Sequence, residues 1–286
     1  MSTLDALNAM SAPEFVTALD GVFEHTPWVA EIAAANRPFA TVTGLHDALM
    51  QAVHSAPAEN CLAFLRGHPP LSSKALADPS LTSESRAEQG GLGMTSLGER
   101  LAAFEAGSSA YEARFGFPFI VCVRRQTPPF VLRGLERRLD NTPEQEHAAA
   151  LGEIGHITRL RLVDRITGPG TPKTAGHLSA HVLDTTRGRA AEGIRIELFQ
   201  EGVLIHEAVT NRDGRTDAPL LADGPLRIGR YELRFHVEDY YAGWPNVTDP
   251  LWYDVIPIRF GVSEPEGDYH IPLLLGSWTY TTYRGS

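Results

Sequence analysis

The sequence is poor in cysteine and lysine: among its 286 residues there are two of each, Cys61 and Cys122, and Lys74 and Lys173. Two cysteines make neither a disulfide framework nor a Cys-rich zinc site, and a reducing, cytoplasmic setting is the expectation. Both lysines are poor candidates for a Schiff base, since Lys173 lies in a glycine- and proline-rich stretch and Lys74 in a loop near His68. No run of about 18 apolar residues is present, which excludes a helical membrane span. The opening MSTLDALNAMSAPEF has no basic region ahead of an apolar core, so a secretory signal is not expected. There is no Walker or Rossmann glycine motif, and no cofactor is expected. Positive charge is also short: 25 basic against 35 acidic side chains give −10, which argues against general nucleic-acid binding. What is present, 43% hydrophobic and 21% charged residues, is the composition of a soluble globular chain. At about 150 residues per domain, the length suggests two domains.

The periodicity changes near position 170. Before it, apolar residues recur at helical spacing. Ser11-Ala-Pro-Glu14 reads as a capping box with proline in the first turn, and Thr26-Pro27 as a second helix start with the threonine as cap. Further helices are predicted through Leu45–Val53, Ala58–Arg66 with Gly67 as its stop, Leu97–Tyr111, and Pro143–Ile166. The segment 167–176, TGPGTPKTAG, reads as a flexible linker. Beyond it the period becomes two, and strands are predicted at 178–183, 194–199, 231–237, 253–260 and 278–283, with Asn211-Arg-Asp-Gly214 as a turn. The predicted architecture is an all-α domain (1–166) followed by an all-β sandwich (177–286).

The β half resembles the transthyretin-related hydrolases of urate breakdown, whose substrate is 5-hydroxyisourate. The resemblance rests on Leu178-Ser-Ala-His-Val-Leu-Asp184, Asp213-Gly-Arg215, Tyr269-His-Ile-Pro-Leu-Leu-Leu275 and the terminal Tyr283-Arg-Gly-Ser286, in that order. It implies His181, Arg215, His270 and Ser286 as catalytic residues, with Tyr283 binding substrate, at the centre of a homotetramer. The chemistry suits these residue types. Opening a lactam needs a water deprotonated near neutral pH, the range of histidine, and a cation for the charge that develops on the carbonyl. The plainer reading is a hydrogen-bonded strand histidine and a solvated turn arginine. A zinc site from His181, His206, His236 and His270 lacks ligand-like local spacing, and no metal is expected.

The helical half resembles the decarboxylases that act on 2-oxo-4-hydroxy-4-carboxy-5-ureidoimidazoline (OHCU). The matching stretches are Phe23-Glu-His-Thr-Pro-Trp-Val-Ala-Glu31, Arg66-Gly-His-Pro-Pro-Leu71, Ser85-Arg-Ala-Glu-Gln89, Phe115-Gly-Phe-Pro-Phe119 and Ile157-Thr-Arg-Leu-Arg-Leu162. The resemblance implies His68 and Glu88 as catalytic residues, with Ser85, Arg161, Phe117, Pro118, Phe119 and Ile120 binding substrate. It departs at Pro70, where relatives usually carry aspartate, which puts the holding of His68 in question. Ser85 and Glu88 also have the spacing of a capping box and could do no more than start a helix. Arg161 shares a helix face with Ile154 and Ile157, so it needs an anionic partner, either Asp or Glu of this protein or a ligand carboxylate.

Together the resemblances imply a bifunctional enzyme of urate catabolism. The β domain would hydrolyse 5-hydroxyisourate to OHCU, and the α domain would decarboxylate OHCU to (S)-allantoin in place of its spontaneous decay to the racemate. The rivals are a transthyretin-like binding protein without turnover and a hydrolase with an idle helical domain. Small-molecule substrates, no nucleic acid, no membrane and a tetramer built through the β domain are the expected associations. The terminal Arg-Gly-Ser is not a Ser-Lys-Leu peroxisomal address, and the arginine bias suggests a bacterial source, so a bacterial cytoplasm is expected.

Overall fold

The structure is a computed structural model that describes residues 1–71, 82–93, 97–245 and 247–285. Lys74 and Ser286, both singled out above, lie outside the described residues. The chain forms two compact units, Met1–Lys173 and Thr174–Ser286.

The first unit is helical, as expected. A short strand β1 (Ser2–Thr3) leads into α1 (Leu4–Ala9), α2 (Ala12–Ala18), α3 (Pro27–Ala34), α4 (Val42–His54) and α5 (Ala58–Arg66). Then come α6 (Ser83–Leu92), α7 (Arg100–Phe115), α8 (Pro128–Arg138), α9 (Pro143–Val163) and the two-residue β2 (Ile166–Thr167). Ser11 and Glu14 form the expected reciprocal capping box, and Thr142 and Gln145 form another at the start of α9. Pro27 opens α3 as read, but Thr26 does not cap it: its hydroxyl turns back to donate to the Phe23 carbonyl. Helix α8 is not anticipated by the sequence pattern. Pro128 and Pro129 occupy its first turn, where the missing N–H costs nothing. Helix α9 is buried around much of its circumference, with Ala150, Leu151, Ile154, Ile157, Leu160 and Leu162 in the core. It is therefore the post on which a site can be built.

The stretch read as a flexible linker is tied down at both ends. β2 pairs in parallel with β1, and the carbonyls of Pro169 and Gly170 accept from Val42 N (2.9 Å) and Thr43 N (3.2 Å). Gly170 has φ +62°, and a β-carbon there would fall 2.7 Å from Thr41 Cβ. At the far end, Gly176 N donates to Gly224 O at 3.0 Å within the second unit. Composition correctly marks where helix stops; it does not reveal that backbone groups still find partners.

The second unit is a sandwich of two four-stranded sheets. One has the order β10 (Tyr280–Thr282), β9 (Asp268–Leu275), β3 (His177–Asp184), β4 (Arg189–Ala190). The other has β6 (Val203–Val209), β5 (Arg195–Gln200), β7 (Gly229–His236), β8 (Val255–Val262). A short helix α10 (Glu238–Tyr241) follows β7. Leu178, Ala180 and Val182 of β3 and Tyr269, Ile271 and Leu273 of β9 face the core, against Leu198, Leu233 and Phe235 of the other sheet. Because strand side chains alternate, Ser179, His181 and His270 are left on the outer face. Parallel pairing of β3 with β9 sets Ser179 opposite His270 and His181 opposite Pro272. Among the described residues, no helix is long and apolar enough to cross a membrane.

Candidate active sites

In the helical unit, the true N-cap of α6 is Thr82, whose hydroxyl accepts from Ser85 N at 3.2 Å. Ser85 thus stands inside the first turn, and the capping-box reading of Ser85 and Glu88 does not hold. The helix runs on through Gly90 and Gly91 to Leu92. Ser85 and Glu88, three apart, share a face that is turned to Arg161 of α9.

Arg161 is 3% exposed and wholly occupied by protein. Its Nε and Nη2 grip the two oxygens of Glu88 at 3.1 and 2.7 Å. Nη2 also reaches Ser85 Oγ at 3.0 Å, while Nη1 donates to Gly21 O at 3.2 Å and pairs with Glu24 Oε1 at 2.7 Å. A guanidinium has five N–H groups, and all five are used. Of the alternatives left open for Arg161, the structure holds two glutamates of this protein. A ligand carboxylate reaches the fork only by displacing one of these partners. Burial works against the guanidinium's charge, but Glu88 and Glu24 outweigh it and raise its pKa above the ordinary value.

Glu24 is absent from the sequence-predicted set, although it sits in the Phe23–Glu31 stretch. It is 7% exposed and its carboxylate also accepts from Thr82 Oγ1 at 2.8 Å and from Ser85 Oγ. Burial alone would raise its pKa; the charge of Arg161, the Ser85 hydrogen bond and His68 bring it below the usual carboxylate value. A buried acid flanked by Val22, Phe23 and Pro27 is the signal that could have found it.

His68 follows the Gly67 stop of α5 and lines a cavity of about 400 Å³ with Glu24, Thr26, Trp28, Asn60 and Phe64. Burial pushes its imidazole down to about 4, the Arg161 charge pushes the same way, and Glu24 opposes both. It is therefore neutral at pH 7. The segment Phe117–Ile120 stands elsewhere. Phe117 and Phe119 pack edge-on against Tyr111, and Ile120 O accepts from Arg138 Nη1 at 2.7 Å. Pro118 and Phe119 line a second cavity with Pro70 and Leu71. The Pro70 carbonyl accepts from Gln89 Nε2 at 3.5 Å.

In the sandwich, the rings of His181 and His270 lie 6.2 Å apart on the outer face. Ser179 Oγ is 2.9 Å from His270 Nδ1. The turn bearing Arg215 is stitched onto β3: Val182 N donates to Gly214 O at 2.8 Å, and His181 bridges to Arg215. Gly214 has φ +70°, and a β-carbon there would sit 2.2 Å from Val182 O, so only glycine allows this approach. Burial lowers the pKa of both histidines, and Arg215 lowers them further. The chain end folds back on the same place, with Gly285 N donating to His270 O at 2.8 Å. Tyr283 is 59% exposed. His236 pairs with Glu197 and His206 lies on the exposed strand β6, so the four histidines do not converge. Among the described residues there is no group of three or more side chains suited to hold a metal.

Comparison with known proteins decides the family. The OHCU decarboxylase family model matches residues 8–163, and that of the HIUase/Transthyretin family matches residues 178–285. The chain belongs to the OHCU decarboxylase family, fused to a HIUase/Transthyretin domain. The OHCU decarboxylase domain is similar to the 2-oxo-4-hydroxy-4-carboxy-5-ureidoimidazoline decarboxylase of Haloferax volcanii, at 36% identity over 58% of this chain and 96% of that protein. The HIUase domain is similar to the 5-hydroxyisourate hydrolase of Deinococcus radiodurans, at 49% identity over 39% of this chain and 99% of that protein. A crystal structure of (S)-allantoin synthase aligns with both domains together, at 34% identity and a TM-score of 0.54, covering 99% of this chain and 100% of that one. The HIUase domain thus carries the histidine pair, and the decarboxylase domain carries the knot of Arg161, Glu88, Ser85 and Glu24.

Proposed function

We propose that this chain is a bifunctional enzyme that hydrolyses 5-hydroxyisourate in its C-terminal domain and decarboxylates the resulting OHCU to (S)-allantoin in its N-terminal domain. The observation that carries this reading is that each compact unit gathers its own cluster of titratable side chains: His181, His270 and Arg215 in one, His68, Glu88, Glu24 and Arg161 in the other.

For the hydrolysis, a neutral histidine of the pair takes a proton from water as it attacks the lactam carbonyl. Arg215 faces the charge that develops on oxygen, and the imidazolium formed in the first step returns its proton to the departing ring nitrogen. The family resemblance adds Tyr283 and Ser286 to the residues proposed for this step. For the decarboxylation, the carbon–carboxylate bond breaks at the hydroxyl-bearing ring carbon. Its electron pair forms a double bond to the neighbouring ureido-bearing carbon as the ring nitrogen takes up a proton. The resulting enol then loses its hydroxyl proton while a proton is delivered to the ureido-bearing carbon. His68 and Glu88 manage that proton from one side of the ring, which makes the product chiral. Arg161 fixes Glu88 and is itself held by Ser85 and Glu24. In this reading the substrate reaches from the His68 cavity toward the one that Pro118 and Phe119 line beside Pro70, with Phe117 and Ile120 packed behind them. The atoms balance with water and a proton alone, so neither step calls for a cofactor.

The HIUase domain, residues 177–286, assembles as a homotetramer in this reading. His181, Ser179 and His270 lie half-buried on an outer sheet face, and the exposed rings of Trp252 and Trp278 offer apolar surface on the same domain. Buried, unpaired thiols at Cys61 and Cys122 accord with a reducing cytoplasm. The test is to add purified protein to freshly made 5-hydroxyisourate and follow its ultraviolet absorbance together with the circular dichroism of allantoin. Fast consumption with an optically active product supports both activities. Unchanged decay of 5-hydroxyisourate identifies a binding protein, and fast consumption with a racemic product identifies an idle helical domain.

A further inference from the structure

The tight turn from Gly21 to Glu24 is built around Arg161. Gly21 (φ +79°) and Glu24 bridge each other as an antiparallel pair, and both ends of the turn touch the guanidinium, Gly21 through its carbonyl and Glu24 through its carboxylate. Glu24 itself has φ +47°, a left-handed backbone that a glutamate adopts only under constraint. Strain and burial of a charge are both unfavourable, and nothing in packing alone calls for a carboxylate here. The side chain is also anchored at every step, by Thr82 and Ser85 of α6 and by Arg161 of α9. Its remaining face looks into the cavity that His68 lines.

We infer that Glu24 is a positioning residue of the decarboxylase site: it locks the Arg161 fork onto Glu88 and balances the guanidinium charge beside His68. This rests on the decarboxylase reading of the helical domain. Arg161 holds Glu88 by two parallel hydrogen bonds, and Glu24 with Ser85 fixes the opposite edge of the same plane, so the catalytic carboxylate has one orientation. The groups that face His68 are Glu24, from the turn before α3, and Arg161, from α9, with His25 on the same cavity wall. Taking away the Glu24 charge leaves Arg161 unopposed there and makes His68 harder to protonate.

The test uses the full chain and two variants, Glu24→Gln and Glu24→Asp, with two readouts. One is kcat and the pH profile of (S)-allantoin formation, and the other is the titration midpoint of His68 followed by NMR. For Glu24→Gln, kcat is expected to fall by roughly ten- to a hundredfold, as misplacement of a catalytic group does. The acidic limb of kcat/KM and the His68 midpoint both move to lower pH. Glu24→Asp keeps the charge but cannot span Arg161 and Ser85, so its kcat falls while the midpoint stays near the wild-type value; this variant carries the test if the glutamine variant fails to fold. An unchanged kcat in the folded variants overturns the inference, and so does a kcat loss with the His68 midpoint unmoved in Glu24→Gln, which is the mark of loosened packing alone. A racemic product from the wild type sinks the decarboxylase reading instead, and the His68 midpoint still decides whether Glu24 is coupled to that imidazole.

Discussion

Gly285 presses against His270 so closely that a β-carbon at 285 would lie 2.7 Å from the imidazole Cδ2. The contact joins the end of the chain to one of the two histidines of the HIUase domain. Glycine at this position is a steric requirement of the site. Gly285→Ala should therefore lower kcat/KM for 5-hydroxyisourate by roughly tenfold or more, by turning the His270 ring or lifting the tail. Decarboxylation of OHCU supplied by a separate hydrolase should not change. Steady-state ultraviolet assays decide it: wild-type hydrolysis by the alanine variant would show that the tail merely rests there.

Arg161→Lys should abolish stereospecific decarboxylation and leave hydrolysis intact. One ammonium cannot hold both oxygens of Glu88 while also satisfying Glu24, Gly21 and Ser85. Arg161→Ala should in addition destabilise the helical domain by about 3–5 kcal/mol, because two carboxylates are left buried without their cation. Denaturant unfolding of the domain measures this; a loss below about 1 kcal/mol would place the pair in the surface class of ion pairs.

Stability of the helical domain should fall as the solution is acidified from about pH 6.5 toward pH 4. Burial, with Arg125 adding to it, lowers His156 to about 4, and burial likewise lowers His68 to about 4 and lowers His46 as well. A histidine depressed in the folded state contributes stability that is present above its unfolded pKa near 6.5. That stability is lost as the pH falls through its folded value, because the unfolded chain binds the proton first. Thermal melts across this range should show Tm declining, and His156→Gln should flatten the decline. A Tm constant from pH 7 to 4.5 would mean these rings are solvated.

The buried glutamate of α9 offers a structural counterpart to the site. Glu146 accepts from Arg138 Nη2 at 2.5 Å, from Asn141 at 2.7 Å and from the Tyr111 hydroxyl, and Arg138 in turn holds the Ile120 carbonyl. Glu146→Gln should cost the helical domain about 3 kcal/mol. It should also raise KM for OHCU more than it lowers kcat, since Pro118 and Phe119 hang from this network. Equal stability in the variant would assign the network no part in holding that segment.

Much of this was legible in the sequence because local physics and tertiary structure agree. Ser11 and Thr142 cap helices as their spacing dictates, and the alternation in β3 and β9 puts His181 and His270 on one outer face. What escaped is non-local. Glu24 lies 137 positions before the arginine it neutralises, a separation no window spans. Ser85 and Glu88 looked like a cap because Thr82, one turn earlier, is an equally good one. Helix α8 went unpredicted, its first turn being occupied by Pro128 and Pro129. The segment 167–176 read as free because composition cannot show that Thr41, Val42 and Gly224 wait for its backbone.

The account stands most directly on the handedness of the product. Wild-type protein given 5-hydroxyisourate should yield allantoin with the circular dichroism of the S enantiomer. His68→Ala should consume 5-hydroxyisourate at the wild-type rate and yield racemic allantoin. Racemic allantoin from the wild type, or loss of hydrolysis together with stereospecificity in His68→Ala, would contradict the assignment of two independent sites.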